Sequence, residues 1–204
     1  MCRIASNTAP GTGSLVAEVD AARKAGADAL VVYSVGPGHA KAVQARTQLG
    51  WRMPYFGPWT LSFRSVLKIA GAPALEGTMM TQTLIKNGES ERRSGFIARY
   101  MRHSREPRIG SLMAAAQAYD AVHLMLRAAF ASKGGPRGPA LKTALENLDR
   151  SHHGVVTTYT RPYSEADHEA FSPRMIWLGT WRKGEIQFQY PDDAKLSAMV
   201  RRKQ

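Results

Sequence analysis

Apolar and polar positions follow two periods along this chain, and the stretch 15–59 shows both. Leu15, Val19 and Ala22 recur at helical spacing, and Gly26 stands where a helix of that phase would end. Residues 29–33 (Ala-Leu-Val-Val-Tyr) are a continuous apolar run rich in β-branched side chains, which predicts a strand of a parallel sheet covered on both faces. Ser34, Val35, Gly36, Pro37 and Gly38 turn the chain; Ala40, Val43 and Ala45 predict a second helix, and Gly50 stops it. Residues 53–56 predict the next strand, and Gly57, Pro58 and Trp59 the next turn. Strand, helix and strand in this order make a right-handed parallel crossover. Ligands of open α/β sheets sit beyond the carboxyl ends of the strands, so residues 34–37 and 57–59 are expected on one rim.

The rest of the pattern is less regular. Residues 1–13, with Pro10, Gly11 and Gly13, predict no full strand. Residues 61–70 predict a short amphipathic helix closed by Gly71, and 76–85, with Thr78, Met80, Gln82 and Leu84 in loose alternation, a strand before an Asn87-Gly88 turn. A helix over 91–102 carries Phe96, Ile97, Tyr100 and Met101 on one side and breaks at Pro107 and Gly110. Ser111 can cap the longest helix, running to about residue 132. Its expected inner stripe is Leu112, Ala115, Ala116, Tyr119, Val122, Met125 and Leu126. After a loop over 134–139 come a short helix (140–148), a strand (154–160), a polar loop (161–173) and a closing hairpin, 175–182 with 185–190, around Lys183 and Gly184.

Composition narrows the class. With 204 residues there is room for one ordinary domain or two small ones. The longest apolar stretch, 112–131, is interrupted by Gln117, Asp120, His123 and Arg127, so it is not a membrane span. Residues 1–13 carry no apolar run of the secretory-signal kind. The single cysteine, Cys2, is read as an incidental thiol rather than a lipid attachment site. The net charge of +12 raises a nucleic-acid reading. The basic residues are scattered, however, and the densest run, 92–108, is interleaved with Ile97, Tyr100 and Met101, so it reads as a solvated helix face. Residues 201–203 read as a frayed tail.

No enzyme constellation emerges, and no cofactor or metal is expected. His152, His153 and His168 have no ligand spacing of a known kind and read as solvated loop histidines. His123 and Asp120, one turn apart, read as a local polar pair. Residues 11–14 (Gly-Thr-Gly-Ser) lack the lysine and the preceding strand of a phosphate loop. Binding features are stronger. Trp59 at a strand-end turn either covers an apolar ligand group or packs against the helix after it. Gly36 and Gly38 either admit a ligand to the backbone or simply allow the turn. Tyr119 is a further candidate contact on a helix position that also suits the core.

The run AGADALVVYSVGPGHAKAVQARTQLGWRMPYFGPW, then IAGAPALEGTM, AAQAYDAVHLML, ALENL and GVVTTYTRPYSEADHEAF, closely resembles the solute receptors of branched-chain amino-acid ABC transporters, the Leu/Ile/Val-binding type of periplasmic binding protein. The ordered set extends over about residues 12–190. The resemblance implies an α/β fold of two lobes joined by crossing strands, with ligand bound in the cleft between them. Here it implies a parallel βαβ lobe (12–78 and 156–190), helices of a second, incomplete lobe (84–155), and a tail (191–204). Ligand contacts are implied at Ser34, Val35, Gly36 and Trp59. Classical members place a carboxylate near the Trp59 position, so Trp59 argues against strict α-amino-acid specificity. The resemblance further implies a periplasmic location, a membrane permease as partner, a small-molecule ligand such as an amino acid or a related carboxylate or amide, and no nucleic acid. The chain is read as the carboxyl-terminal part of such a receptor, with apolar faces around Phe96, Ile97, Leu112 and Tyr119 partly exposed. A ligand-sensing domain of a receptor or transcriptional regulator on the same fold is the alternative.

Overall fold

The computed structural model describes residues 13–86, 90–106, 108–133, 135 and 137–198. Cys2, the Asn87-Gly88 turn, Pro107 and the basic residues 201–203 lie outside the described residues, as do Gly134 and Pro136 of the predicted loop and Gly11 and Thr12 of the Gly-Thr-Gly-Ser stretch. The chain divides into two compact units, Met1–Gln82 with Leu178–Gln189, and Thr83–Trp177 with Tyr190–Gln204.

The first unit is built on the predicted crossover. Helix α1 (Val16–Lys24) leads to β1 (Leu30–Val31), α2 (Pro37–Gln48) and β2 (Tyr55–Gly57). A 3-10 turn (Trp59–Ser62), α3 (Arg64–Ala70), α4 (Ala72–Leu75) and β3 (Met79–Gln82) follow, and β6 (Trp177–Arg182) and β7 (Glu185–Phe188) close the sheet. Its strand order is β1-β2-β3-β6-β7. β1 and β2 are parallel with Leu30 opposite Tyr55, and β2 and β3 are parallel with Phe56 opposite Met79. β6 and β7 form the predicted antiparallel hairpin, with Thr180 opposite Gln187. Gly26 and Gly50, at φ 72° and 61°, end α1 and α2 in the left-handed conformation that glycine tolerates. The core gathers Val43, Tyr55, Leu61, Val66, Leu75, Met80 and Trp181, and the Trp181 indole donates to Leu61 O at 3.1 Å.

Three expectations for this unit need correction. The predicted helix over 61–70 is split: the 3-10 turn takes its first residues, and α3 starts at Arg64. The strand expected over 76–85 is confined to β3. β1 is not covered on both faces. Leu30 and Val32 pack on the core, whereas Val31 and Tyr33 are 78% and 93% exposed. β1 is the edge strand among the described residues, and alternation sends every second side chain to its exposed face.

The second unit is mainly helical. It holds α5 (Glu91–His103), α6 (Leu112–Ala131), α7 (Gly138–Glu146), a small antiparallel pair β4 (His152–His153) and β5 (Thr158–Tyr159), and α8 (Pro191–Ala198). Ser90 caps α5 through Arg93 N, and Ser111 caps α6 through Ala114 N, as its sequence suggests. Residues 191–198 form α8, where the sequence reading expects a tail; Pro191 and the acids Asp192 and Asp193 supply helix-start chemistry.

Asp120 reorganises this unit. Its carboxylate is buried and accepts from Val155 N at 2.7 Å, Val156 N at 2.9 Å and the Tyr159 hydroxyl at 3.0 Å. It is therefore not partnered with His123 as predicted. Of the strand expected over 154–160, residues 154–157 form a turn between β4 and β5, with Val155 N and Val156 N given to the Asp120 carboxylate, and only β5 is strand. The buried face of α6 is Met113, Ala116, Asp120, Leu124 and Ala128. Of the predicted stripe, Ala116 is buried and Leu112 and Ala115 pack against the same core, whereas Tyr119, Val122, Met125 and Leu126 are exposed. Phe96, expected to be partly exposed, is buried with Leu84, Met113, Ala116, Val155 and Val156.

Candidate functional site

The candidate site is the rim formed by the turns after β1 and β2 in the first unit. Gly36 is the residue before α2, with φ 51° and ψ −113°, a combination that side chains disfavour. Gly38 lies so close to Ser34 that a β-carbon there would collide with the Ser34 hydroxyl. These glycines are required by the turn itself. Val35 points to solvent and Ser34 is half-buried. Trp59 is 40% exposed and sets its ring against Phe63 in an edge contact with centroids 5.2 Å apart. Trp59 thus packs in part on the residue that precedes α3 and is otherwise exposed on the rim.

A buried polar relay ties the two turns together. The Thr60 hydroxyl donates to Ser34 O at 2.6 Å. His39, fully buried on α2, lies between Thr60 and Tyr55: Nε2 is 3.2 Å from Thr60 Oγ1, and Nδ1 is 3.0 Å from the Tyr55 hydroxyl. Because the Thr60 proton goes to Ser34 O, His39 Nε2–H donates to Thr60 and Nδ1 accepts from Tyr55. Burial holds His39 neutral and pushes its pKa down to about 4, against a smaller opposing pull from the Ser34 backbone. Gly57 makes room for this ring: a β-carbon there would sit 2.9 Å from His39 Cε1. Arg46, also on α2, donates to Met53 O and Ala74 O and stands 5.6 Å over the Tyr55 ring.

The first unit therefore brings together Ser34, Val35, Gly36 and Trp59. Tyr119 belongs to the second unit, on α6, with its ring 5.2 Å from Phe96 and 4.5 Å from His123. Sequence reasoning missed His39 and Thr60. A signal was there: His39, Val43 and Arg46 share the inward phase of α2, so two polar residues stand on a buried face and need partners. His152 and His153 are not loop residues as expected. They form β4, with His152 stacked between His123 at 5.7 Å and Tyr159 at 6.1 Å. His168 pairs with Glu146 at 2.7 Å. Among the described residues no cluster could hold a metal ion. The densest basic run contributes structure: Arg92 donates to Gly154 O, and buried Arg93 to Val155 O, Val156 O and Ser197 O.

A family model described as periplasmic binding protein matches residues 4–185. The chain belongs to that family. Its fold recurs in the leucine-binding protein LivK of Thermotoga maritima, with 20% identity and a TM-score of 0.73 over 91% of this chain and 51% of that one. It recurs in LivJ of Streptococcus pneumoniae, solved with isoleucine, with 23% identity and a TM-score of 0.69 over 88% of this chain and 49% of that one. A solute-binding protein of an R. palustris ABC transporter, solved with benzoate, is similar at 16% identity and a TM-score of 0.66, over 89% and 48%. This periplasmic binding protein chain spans about half the length of these structures. No curated protein matches it. The family is one of solute-binding proteins rather than enzymes.

Proposed function

We propose that this chain is the solute-binding component of an ABC importer, or part of one, and that its ligand is a branched-chain amino acid or a related small carboxylate or amide. The observation that carries the reading is the rim. Two parallel-strand turns are fastened to each other by Thr60 and His39; Ser34 is half-buried there, Val35 and part of Trp59 are exposed, and Gly36 is buried between them. An apolar wall with a few polar groups suits a small amphiphilic solute. The leucine-, isoleucine- and benzoate-binding neighbours support that ligand class. On this reading the first unit is one lobe of the receptor and the second contributes helices of the other. The rim is one wall of the ligand site, a membrane permease is the partner, and the working compartment is the periplasm. Tyr119 is proposed as a further contact.

Isothermal titration with leucine, isoleucine and benzoate, followed by tryptophan fluorescence, tests the reading. One of the three is expected to bind, and saturation at a hundred times Kd stabilises the folded chain by about 2.7 kcal/mol. Trp59→Ala is expected to weaken binding about tenfold or more, with Tm little changed, since the residue is partly exposed. Tyr119→Ala tests the second contact in the same titration. Binding of none of the three, with the protein folded, would end the proposal.

A further inference from the structure

Val35 follows β1 and Trp59 follows β2, so their spacing on the rim is set by hydrogen bonds rather than by the chain between them. Thr60 makes the link. It is buried beside Trp59, and its hydroxyl donates to the carbonyl of Ser34, the residue before Val35, at 2.6 Å. His39 Nε2, 3.2 Å away, supplies a proton to the same hydroxyl oxygen and leaves the Thr60 proton for Ser34. Trp59 has a second anchor: Gln82, buried on β3, places its side-chain amide nitrogen 3.4 Å from Trp59 O. All of these groups belong to the first unit. The bond from Thr60 also fixes the direction of a peptide. The described peptides are trans, so the Ser34 carbonyl and the Val35 N–H of one peptide unit point opposite ways. With the carbonyl drawn inward to Thr60, the N–H is turned away from the buried relay. Val35 O accepts from Gly38 N at 3.3 Å, but Val35 N has no acceptor among the described residues. The Val35 side chain beside this donor is 63% exposed. A backbone donor next to apolar surface suits the carboxylate or carbonyl oxygen of a small solute.

We propose that Thr60 is a positioning residue of the rim: by holding Ser34 O it aims the Val35 N–H at a carboxylate or carbonyl oxygen of the solute and sets the distance of that donor from Trp59. The inference rests on the reading that the rim binds solute. Thr60 does not touch the solute itself; it supports the group that does. His39 shares the task because it completes the hydrogen bonding of the Thr60 oxygen. Tyr55 does not share it. Its hydroxyl serves His39 Nδ1, on the far side of the imidazole from the turn. Both hydroxyls are on buried residues, so losing either one destabilises the fold, but Thr60 alone of the two bonds to the turn that carries Val35.

Titration of the full chain with leucine, isoleucine and benzoate, read by calorimetry and by amide NMR of isotope-labelled protein, tests the assignment. In the parent, the Val35 amide proton is expected to move downfield as the bound solute accepts from it. Thr60→Val is expected to raise Kd about threefold to tenfold, the size of one hydrogen bond. Thr60→Ser, which keeps the hydroxyl, is expected to restore the parent Kd. Tyr55→Phe is expected to lower Tm as Thr60→Val does but to leave Kd close to that of the parent, so a general loss of stability is told apart from a loss of positioning. A Val35 amide that stays in place on binding would overturn the inference, and that measurement needs no variant. A Thr60→Val protein that binds like the parent, or that is weakened no more than Tyr55→Phe, would overturn it too. The solute-binding reading survives both of those results. Binding of none of the three solutes by the folded parent overturns that reading and this inference with it.

Discussion

His39 is the most consequential single side chain in the first unit, because it links the two turns of the rim from below. It is fully buried, makes both ring hydrogen bonds as a neutral imidazole, and its pKa falls from 6.5 to about 4 through burial. The folded state thus holds fewer protons on this residue than the unfolded chain does. The stability it contributes is complete above pH 6.5 and drains as pH falls from 6.5 toward 4. Thermal unfolding across that window should show a steep loss of Tm in the parent and a shallower one in His39→Gln. Other groups titrate there too, including His152, whose pKa burial also lowers, but they are common to both proteins and cancel in the difference. Parallel curves would mean that His39 is protonated in the fold and that the relay to Thr60 is wrong.

At the level of elements, α6 and the turn it supports depend on one contact. Gly154 brings its backbone so close to α6 that a β-carbon would lie 2.5 Å from Asp120 Oδ2 and 2.6 Å from the Tyr159 ring. Gly154→Ala should therefore destabilise the second unit by about 1–3 kcal/mol through overpacking. Asp120→Ala should cost more, about 3–5 kcal/mol, because two buried amides lose their acceptor at once. Chemical denaturation of the two variants checks the order, and an Asp120→Ala protein as stable as the parent would remove the carboxylate from this role. The same contact marks the limit of what the pattern of residues reveals. β1, α2 and β2 are legible because an apolar β-branched run and glycine stops coincide there. The rim is legible because parallel strands put their carboxyl ends on one side. α6 has apolar residues at two phases, 113-116-124-128 and 118-122-125-126, and periodicity alone cannot decide between them. The choice is made by Asp120, whose partners Val155 and Val156 are distant in sequence. For the same reason the segment over 154–160 reads as one strand in one dimension, whereas its first half, 154–157, folds as a turn and only 158–159 is strand. His39 and Thr60 escaped because each becomes meaningful only through the other.

For the whole molecule, charge is the property that no single element explains. Lysine and arginine outnumber aspartate and glutamate 28 to 16. Of the ion pairs at the surface, Asp20 serves both Arg23 and Lys24, and Glu146 serves both Lys142 and His168. Carboxylates are thus shared between cations, and the excess positive charge repels itself across the surface. Self-repulsion of this kind opposes the compact state, and added salt relieves it. Exposed ion pairs of the sort seen here contribute little, and salt weakens them as well. With 12 net charges against a handful of such pairs, relief of repulsion is the larger effect. Raising sodium chloride from about 0.01 M, where the screening length is about 30 Å, to about 0.15 M, where it is about 8 Å, should therefore raise Tm. Reversing a few scattered surface lysines to glutamate should raise Tm at low salt and shrink its salt dependence. Sodium chloride and sodium bromide should act alike if screening is the cause, whereas sulfate can stabilise by exclusion from the surface and is a poor probe. A Tm that falls with sodium chloride would mean that the shared pairs around Asp20 and Glu146 outweigh the repulsion, and that the excess cations are spaced widely enough to do little harm.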